Sequence, residues 1–328
     1  MYRLVASLLF ALAVFSGGPV RADGAVLALV PSDAGALLPA GPSARSQRDL
    51  TRALTNYDMA IARDPDDAQA YHGRAVIWRR MGQPDRAIAD FNKAIELSPE
   101  SAEAYRHRAD AWYDKGEFSR AIGDYGRAIE LDPTDHVAYN NRGAAREILG
   151  EIDLAIADYS RTIELNPNYA LAYRNRGDAW DKKGDANRAV HDYTRAIDLN
   201  PGDPVAHLNR GVTFNSLGAW ERSMDDFNRS IALNPNVAMA YRNRAVVWHV
   251  RGDMGRAIED YTTAIKLEPA DAATYAERGR LRARGGSLVP AIKDLSMAMG
   301  LRLRKSETYR AWAGLVRAVR EVFGGAVE

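Results

Sequence analysis

Small, aromatic and aliphatic residues recur along this chain with a single period. Prolines stand at Pro65, Pro99, Pro133, Pro167, Pro201, Pro235 and Pro269, and every gap is 34 residues. Counting each unit from the third residue after its proline makes 68–101 the first complete one. Position 4 is Tyr71, Tyr105, Tyr139, Tyr173, His207, Tyr241 and Tyr275, and position 8 is always alanine or glycine. Position 11 is Trp78, Trp112, Trp180, Phe214 and Trp248, with Arg146 and Arg282 in the other two units. That spacing marks one face of a helix, and a glycine at position 15 of every unit, from Gly82 to Gly286, predicts its C-terminal stop. The second half follows the same logic. Position 20 is small, position 24 is a ring in six units (Phe91, Tyr125, Tyr159, Tyr193, Phe227, Tyr261) and Leu295 in the seventh, and position 28 is Ile or Met. The proline then ends this second helix. Small residues at 8 and 20 let two antiparallel helices approach, while rings at 4, 11 and 24 fill the space beside them.

A helix pair of this kind cannot bury its apolar face alone, so neighbouring pairs must stack. Through 68–305 the pattern of aromatic-4, Gly/Ala-8, aromatic-11, Ala-20, aromatic-24, Ala-27 and Pro-32 closely resembles the tetratricopeptide repeat family. The resemblance implies an all-α fold: a right-handed superhelical solenoid of seven stacked antiparallel helix pairs, with the first helices lining a concave groove. It also implies recognition of a protein or peptide partner.

The flanks fit the same frame. Residues 48–67 hold only a second helix, with Ala53, Tyr57 and Ala60 in register, and read as an N-terminal half-repeat. In 306–323, Tyr309, Trp312, Val319 and Phe323 share one stripe, as expected of a C-terminal capping helix followed by the tail 324–328. A membrane-surface helix is the other reading of its Arg310, Arg317 and Arg320. Ahead of the repeats, 23–47 carries Pro31, Pro39 and Pro42 without a helical period and reads as a flexible linker. Residues 1–22 combine a basic start at Arg3, an apolar run from Leu4 to Phe15 and a small-residue end at Ala22. That order predicts a signal peptide cleaved after Ala22, because the run is shorter than the roughly 20 residues a membrane-spanning helix needs. An uncleaved anchor is the alternative. The chain is expected to be exported, to the periplasm in a Gram-negative cell and otherwise secreted.

Charge narrows the partners. The 44 Lys+Arg nearly cancel the 43 Asp+Glu, and loss of Arg3 and Arg21 with a signal peptide would leave the net charge at −1. Nucleic acid is disfavoured, since phosphate binding needs excess positive charge. Cysteine is absent, so disulfides and thiolate metal sites are excluded. Arginine fills position 7 of all seven units (Arg74 to Arg278) and aspartate fills position 23 (Asp90 to Asp294), which predicts a repeated ion pair rather than a track for an anionic ligand. Whether each arginine meets its own unit's aspartate or a neighbour's is open at this level.

No phosphate loop, Gly-x-Ser-x-Gly elbow or His-Glu-x-x-His pair is present, and the repeat leaves no room for a catalytic domain. No enzymatic activity, cofactor or metal is expected. The six histidines are scattered through the period, although His72 and His107 have the spacing to approach one another. Ligand contacts are expected from positions 2, 5, 6, 9, 12 and 13. Position 6 is Asn141, Asn175, Asn209 and Asn243 in four successive units, an expected ladder of exposed amides able to pair with the N–H and C=O of an extended peptide. It resembles the asparagine ladder of O-linked N-acetylglucosamine transferases, though no glycosyltransferase domain follows. Arg106, Arg174 and Arg242 stand beside it at position 5, and Val205, Leu208, Val212 and Met239 are expected to add apolar surface. The lysines and asparagine of a carboxylate clamp are missing, which disfavours a chaperone's acidic tail. The leading expectation is a peptide-binding scaffold of the cell envelope. The alternative is an adaptor that docks to anionic lipid or an acidic polymer through its basic C-terminal end, 278–320, where eleven Lys+Arg face two acidic residues. A purely architectural spacer is a third reading.

Overall fold

In the computed structural model, residues 44–303 are described, with the side chains of 48–302. The expected signal peptide, the capping helix 306–323 and the tail lie outside them. Among the described residues there are fifteen helices and no strand. Helix α1 (Ala44–Arg63) takes in the last four residues of the expected linker. Then come α2 (Ala68–Arg80), α3 (Pro84–Leu97), α4 (Ala102–Asp114), α5 (Phe118–Leu131), α6 (His136–Ile148), α7 (Ile152–Leu165), α8 (Ala170–Lys183) and α9 (Ala186–Leu199). These belong to one compact unit that ends at Pro201. A second unit begins at Gly202 with α10 (Pro204–Ser216), α11 (Trp220–Leu233), α12 (Ala238–Val250), α13 (Met254–Leu267), α14 (Ala272–Arg284) and α15 (Leu288–Leu303). Within each unit every helix packs on the next, so each unit is an α-solenoid of helix pairs. No described helix is long and apolar enough to cross a membrane.

The 34-residue period sets each boundary. Asp67, Ser101, Asp135, Asp203 and Asp271 cap the first helices of their repeats with side-chain acceptors, each worth about 1 kcal/mol. All seven position-15 glycines have φ between +70° and +86°, the left-handed turn in which glycine carries no Cβ penalty.

The core of each pair is the position-24 ring. Phe91, Tyr125, Tyr159, Tyr193 and Phe227 are completely buried and Tyr261 nearly so. The small residue at position 8 makes room for it. A Cβ on Gly177 would stand 2.8 Å from the Tyr193 ring, and one on Gly211 would stand 2.8 Å from Phe227. Ala75, Ala109 and Ala245 occupy the same position in other repeats and are wholly buried.

Candidate functional site

The period-locked charges meet in every repeat. Each position-7 arginine donates through Nε and Nη2 to both oxygens of the aspartate sixteen residues later, at 2.7–3.0 Å, from Arg74–Asp90 to Arg278–Asp294. The partner therefore lies in the same repeat, a point the spacing left open. The fork geometry makes this the strong, bidentate form of the pair. The remaining nitrogen, Nη1, reaches back to position 25 of the preceding repeat: Asp58, Asn92, Ser160, Asn228 and Thr262 accept it from Arg74, Arg108, Arg176, Arg244 and Arg278. Gly126 occupies that position before Arg142, and there Arg146 supplies a further donor to Asp158 at 2.7 Å. In six repeats the guanidinium also lies over the position-4 tyrosine, 5.4–5.8 Å from the ring centre. In the remaining repeat His207 replaces the tyrosine and its Nδ1 lies 3.0 Å from Asp226. The Nε and Nη2 faces of all seven arginines are thus taken up inside the solenoid.

The asparagines are placed differently from the expected exposed ladder. Asn141 is 5 % exposed, and Asn175, Asn209 and Asn243 are 0 % exposed. Position 6 falls on the seam between the first helices of successive repeats, so the neighbouring repeat, not solvent, meets the amide. Asn141 Nδ2 donates to Asp110 Oδ1 at 3.1 Å, and Asn175 Nδ2 donates to Asn140 Oδ1 at 3.2 Å. Asn140 Nδ2 in turn donates to Asn141 Oδ1 at 3.1 Å. Asp110 also accepts from the Tyr125 hydroxyl at 2.6 Å and from Arg79 at 3.0 Å. A continuous polar spine therefore joins α2, α4, α6 and α8. Burial pushes the Asp110 carboxyl above its ordinary range against the pull of Arg79. It also pushes the Tyr125 hydroxyl well up, with Asp110 adding to the effect. The motif recurs: the Tyr193 hydroxyl donates to Asp178 at 2.7 Å, and the Tyr159 hydroxyl donates to Glu147, which also accepts from Lys182 at 2.7 Å.

The position-5 arginines also turn inward. Arg106 pairs with Asp135 at 2.9 Å and Arg242 pairs with Asp271 at 3.1 Å. Both aspartates are the caps of the next repeat's first helix, so the arginine ties one helix to the start of the next. Arg174, at the same position, is 8 % exposed. The expected apolar surface is revised in part: Leu208 and Val212 are buried in a core cluster with Phe227 and Val247, whereas Val205 and Met239 stay half-buried, Met239 packing on that cluster. In residues 44–201 the same position 2 also supplies surface: Glu103 is exposed and Val137 and Leu171 are half-buried.

One group of ligating side chains does converge. His72 Nε2 lies 2.9 Å from His107 Nδ1, and with Glu103 they bring three ligand atoms within 4.8 Å of one another. This corrects the expectation that the histidines form no cluster. The signal was present in part: Glu103 and His107 are four residues apart on one helix, and His72 sits one repeat earlier. Phe91 packs against both rings, with centroids at 5.6 Å and 6.1 Å. Burial, then the charge of Arg106, holds the His107 imidazole down at about 3. Burial also lowers His72, partly offset by Glu103.

At the basic end, Arg278 and Arg282 share Asp294, and Arg280 pairs with Glu277. Of the expected alternative docking surface, residues 304–320 lie outside those described.

A stacked array of helix pairs, each locked by one arginine–aspartate fork and six of the seven by a buried ring, defines an α-solenoid of the repeat type. Sequence profiles of the tetratricopeptide repeat match residues 38–80, 79–136, 136–169, 170–203 and 225–272. The chain belongs to the tetratricopeptide repeat family. No curated protein sequence matches it. Among solved structures, the fold is similar to that in the Cut9–Hcn1 hetero-tetramer of the APC/C (TM-score 0.62, 20 % identity, 71 % of this chain and 46 % of that one). This chain therefore spans about half the length of that relative. It is also similar to a tetratricopeptide repeat protein from Parabacteroides merdae (TM-score 0.59, 19 % identity, 76 % and 98 % covered) and to pilF of Pseudomonas aeruginosa (TM-score 0.59, 17 % identity, 67 % and 99 % covered). At these identities the likeness is one of fold.

Proposed function

We propose that this protein is a non-enzymatic, protein-binding scaffold of the cell envelope that holds an extended segment along the first-helix face of its repeats. Family membership across the array carries the reading, because tetratricopeptide repeats are protein-binding scaffolds. The fold by itself does not name a partner. The inward commitment of Asp110, Glu147 and Asp178 supports a non-catalytic role, since each carboxylate is held by a tyrosine hydroxyl rather than poised at a cleft. The buried asparagines then act by setting the spacing of the first helices. Contact falls to the half-buried Val137 and Leu171. The basic run at Arg3, the apolar run that follows and Ala22 support export and a mature chain beginning at Asp23.

The test is affinity capture from envelope extract with the mature chain and a Val137→Glu/Leu171→Glu variant of unchanged circular dichroism. The expected result is capture of a defined partner by the wild type and a loss of about tenfold or more in the variant, as for removal of central apolar contacts. Equal capture by the folded variant overturns the first-helix face as the site. Mass spectrometry of protein recovered from cells checks the predicted start at Asp23, and a chain retaining Met1 rejects cleavage. The anionic-surface alternative predicts salt-sensitive sedimentation with acidic vesicles by the same chain. The internal pairing of Arg278, Arg280 and Arg282 makes it the second choice.

A further inference from the structure

We infer that His72, Glu103 and His107 form a site for one divalent transition-metal ion of zinc type, bridging the first two complete repeats. The donors come from two helices: His72 from α2, Glu103 and His107 from adjacent turns of α4. Their ligand atoms already lie within 4.8 Å of one another, and the two ring nitrogens are 2.9 Å apart. Two imidazoles on one tetrahedral zinc, with Zn–N of about 2.0–2.1 Å, have their nitrogens about 3.3 Å apart. The nitrogens must therefore separate by a few tenths of an ångström and the rings must turn so that both lone pairs converge on the ion, a change within reach of side-chain rotation. Glu103 is exposed and free to swing its carboxylate toward the pair.

The chemistry of the donor set selects the ion. Two imidazoles and a single carboxylate suit zinc, nickel or copper, whereas magnesium and calcium require shells of oxygen that this cluster does not offer. Neutral imidazole is the form that binds such an ion, through either ring nitrogen. The positive neighbours are already balanced: Arg106 is paired with Asp135, and Arg79 with Asp110 and Asp114. Without metal, one ring donates its N–H to the other across the 2.9 Å contact. When the ion takes both lone pairs, the donor ring moves that proton to its other nitrogen through solvent, so the neutral pair releases no net proton. Phe91 packs against both rings and keeps them side by side. Three protein ligands leave a fourth position for water or for a side chain of a bound protein.

The consequence is a metal-dependent clasp between α2 and α4, at the end of the array that follows α1. The test is isothermal titration of zinc chloride into the mature, tag-free chain after chelator treatment, with magnesium chloride as the control. The expected result is one zinc per chain, no magnesium binding, and a rise in melting temperature with zinc concentration, as mass action demands for an ion that binds only the folded state. His72→Gln/His107→Gln should weaken zinc binding by about tenfold or more, and Glu103→Gln should weaken it less, while His191→Gln leaves it unchanged. The glutamines keep an amide in place of each ring nitrogen, and circular dichroism with zinc absent checks that the variants fold. Absence of zinc binding, or equal binding by the folded double-glutamine variant, overturns the site.

Discussion

The first helices of residues 44–201 and those of residues 202–303 are built on one 34-residue frame but differ in how polar the layer between them is. In the earlier region the layer between first helices is polar: Arg79, Asp110, Asn141, Asn140 and Asn175 are joined donor to acceptor. In the later region position 6 is still a buried asparagine, Asn209 and Asn243, but position 9 is Val212 and Val246, both buried, where the earlier region has Asp110 and Asp178 in two of its repeats. Position 5 shows the change most directly, being Asn140 in the third repeat and Leu208 in the fifth. What the two share is the fork between positions 7 and 23 and the ring at 24. The frame, then, is specified by charge pairing and ring packing within a repeat. The seam between repeats is free to be solved by hydrogen bonds or by hydrophobic burial, provided that neither leaves a polar group stranded.

The largest expected effect comes from breaking the polar seam at its centre. Asp110→Ala leaves the Tyr125 hydroxyl and the Asn141 amide without their acceptor and takes one of two carboxylates from Arg79, which keeps Asp114; each buried polar group left unpaired costs about 1–3 kcal/mol. Urea unfolding followed by hydrogen exchange should show that loss within residues 44–201. A change below about 1 kcal/mol would mean that solvent reaches this seam.

In the apolar seam, Leu208→Ala should cost about 3 kcal/mol through lost burial and the cavity left behind. Here hydrogen exchange should rise within residues 202–303. An effect spread evenly over the whole chain would show that the two regions unfold as one cooperative block.

Transplanting one solution into the other sharpens the contrast. Asn140→Leu places the leucine of the fifth repeat into the third, removing the acceptor of Asn175 Nδ2 and the donor to Asn141 Oδ1. The expected loss is about 1–3 kcal/mol despite the gain in hydrophobicity, because unpaired buried amides outweigh it. A stabilised variant in the same urea assay would show that the hydrogen bonds of the spine are replaceable by packing alone. By the same logic, changing Asn141, Asn175, Asn209 and Asn243 together to alanine should lower the melting temperature.

The smallest effect is on the outer surface. Arg188 lies over the Trp180 ring, 4.5 Å from its centre, and Arg86, Arg120 and Arg256 repeat the arrangement on Trp78, Trp112 and Trp248. Where position 11 is Arg146 or Arg282, position 19 is Leu154 or Pro290 instead of arginine. Arg188→Ala should cost about 0.5–1 kcal/mol, the scale of an exposed cation–π contact. Thermal melts of that variant beside Leu154→Ala, which has no such ring beneath it, separate stacking from general surface effects.

The chain by itself determined the helices, their stops and the pairing partners in kind. These rest on local rules with a 34-residue register: a left-handed glycine ends a helix wherever it falls, and a small residue on the first helix admits the ring sixteen positions later on the second. Arginine at 7 and aspartate at 23 were legible as a pair because both recur without exception. Only tertiary structure decided where the face of position 6 points. A helical period assigns residues to a stripe, but whether that stripe meets solvent or the next repeat depends on how closely successive first helices pack. That closeness buried Asn175, Asn209 and Asn243, turned Arg106 and Arg242 onto the next helix caps, and brought His72 to His107 from a repeat away. Distances within a turn follow from backbone geometry, whereas distances between repeats follow from packing, which no single stretch of sequence contains.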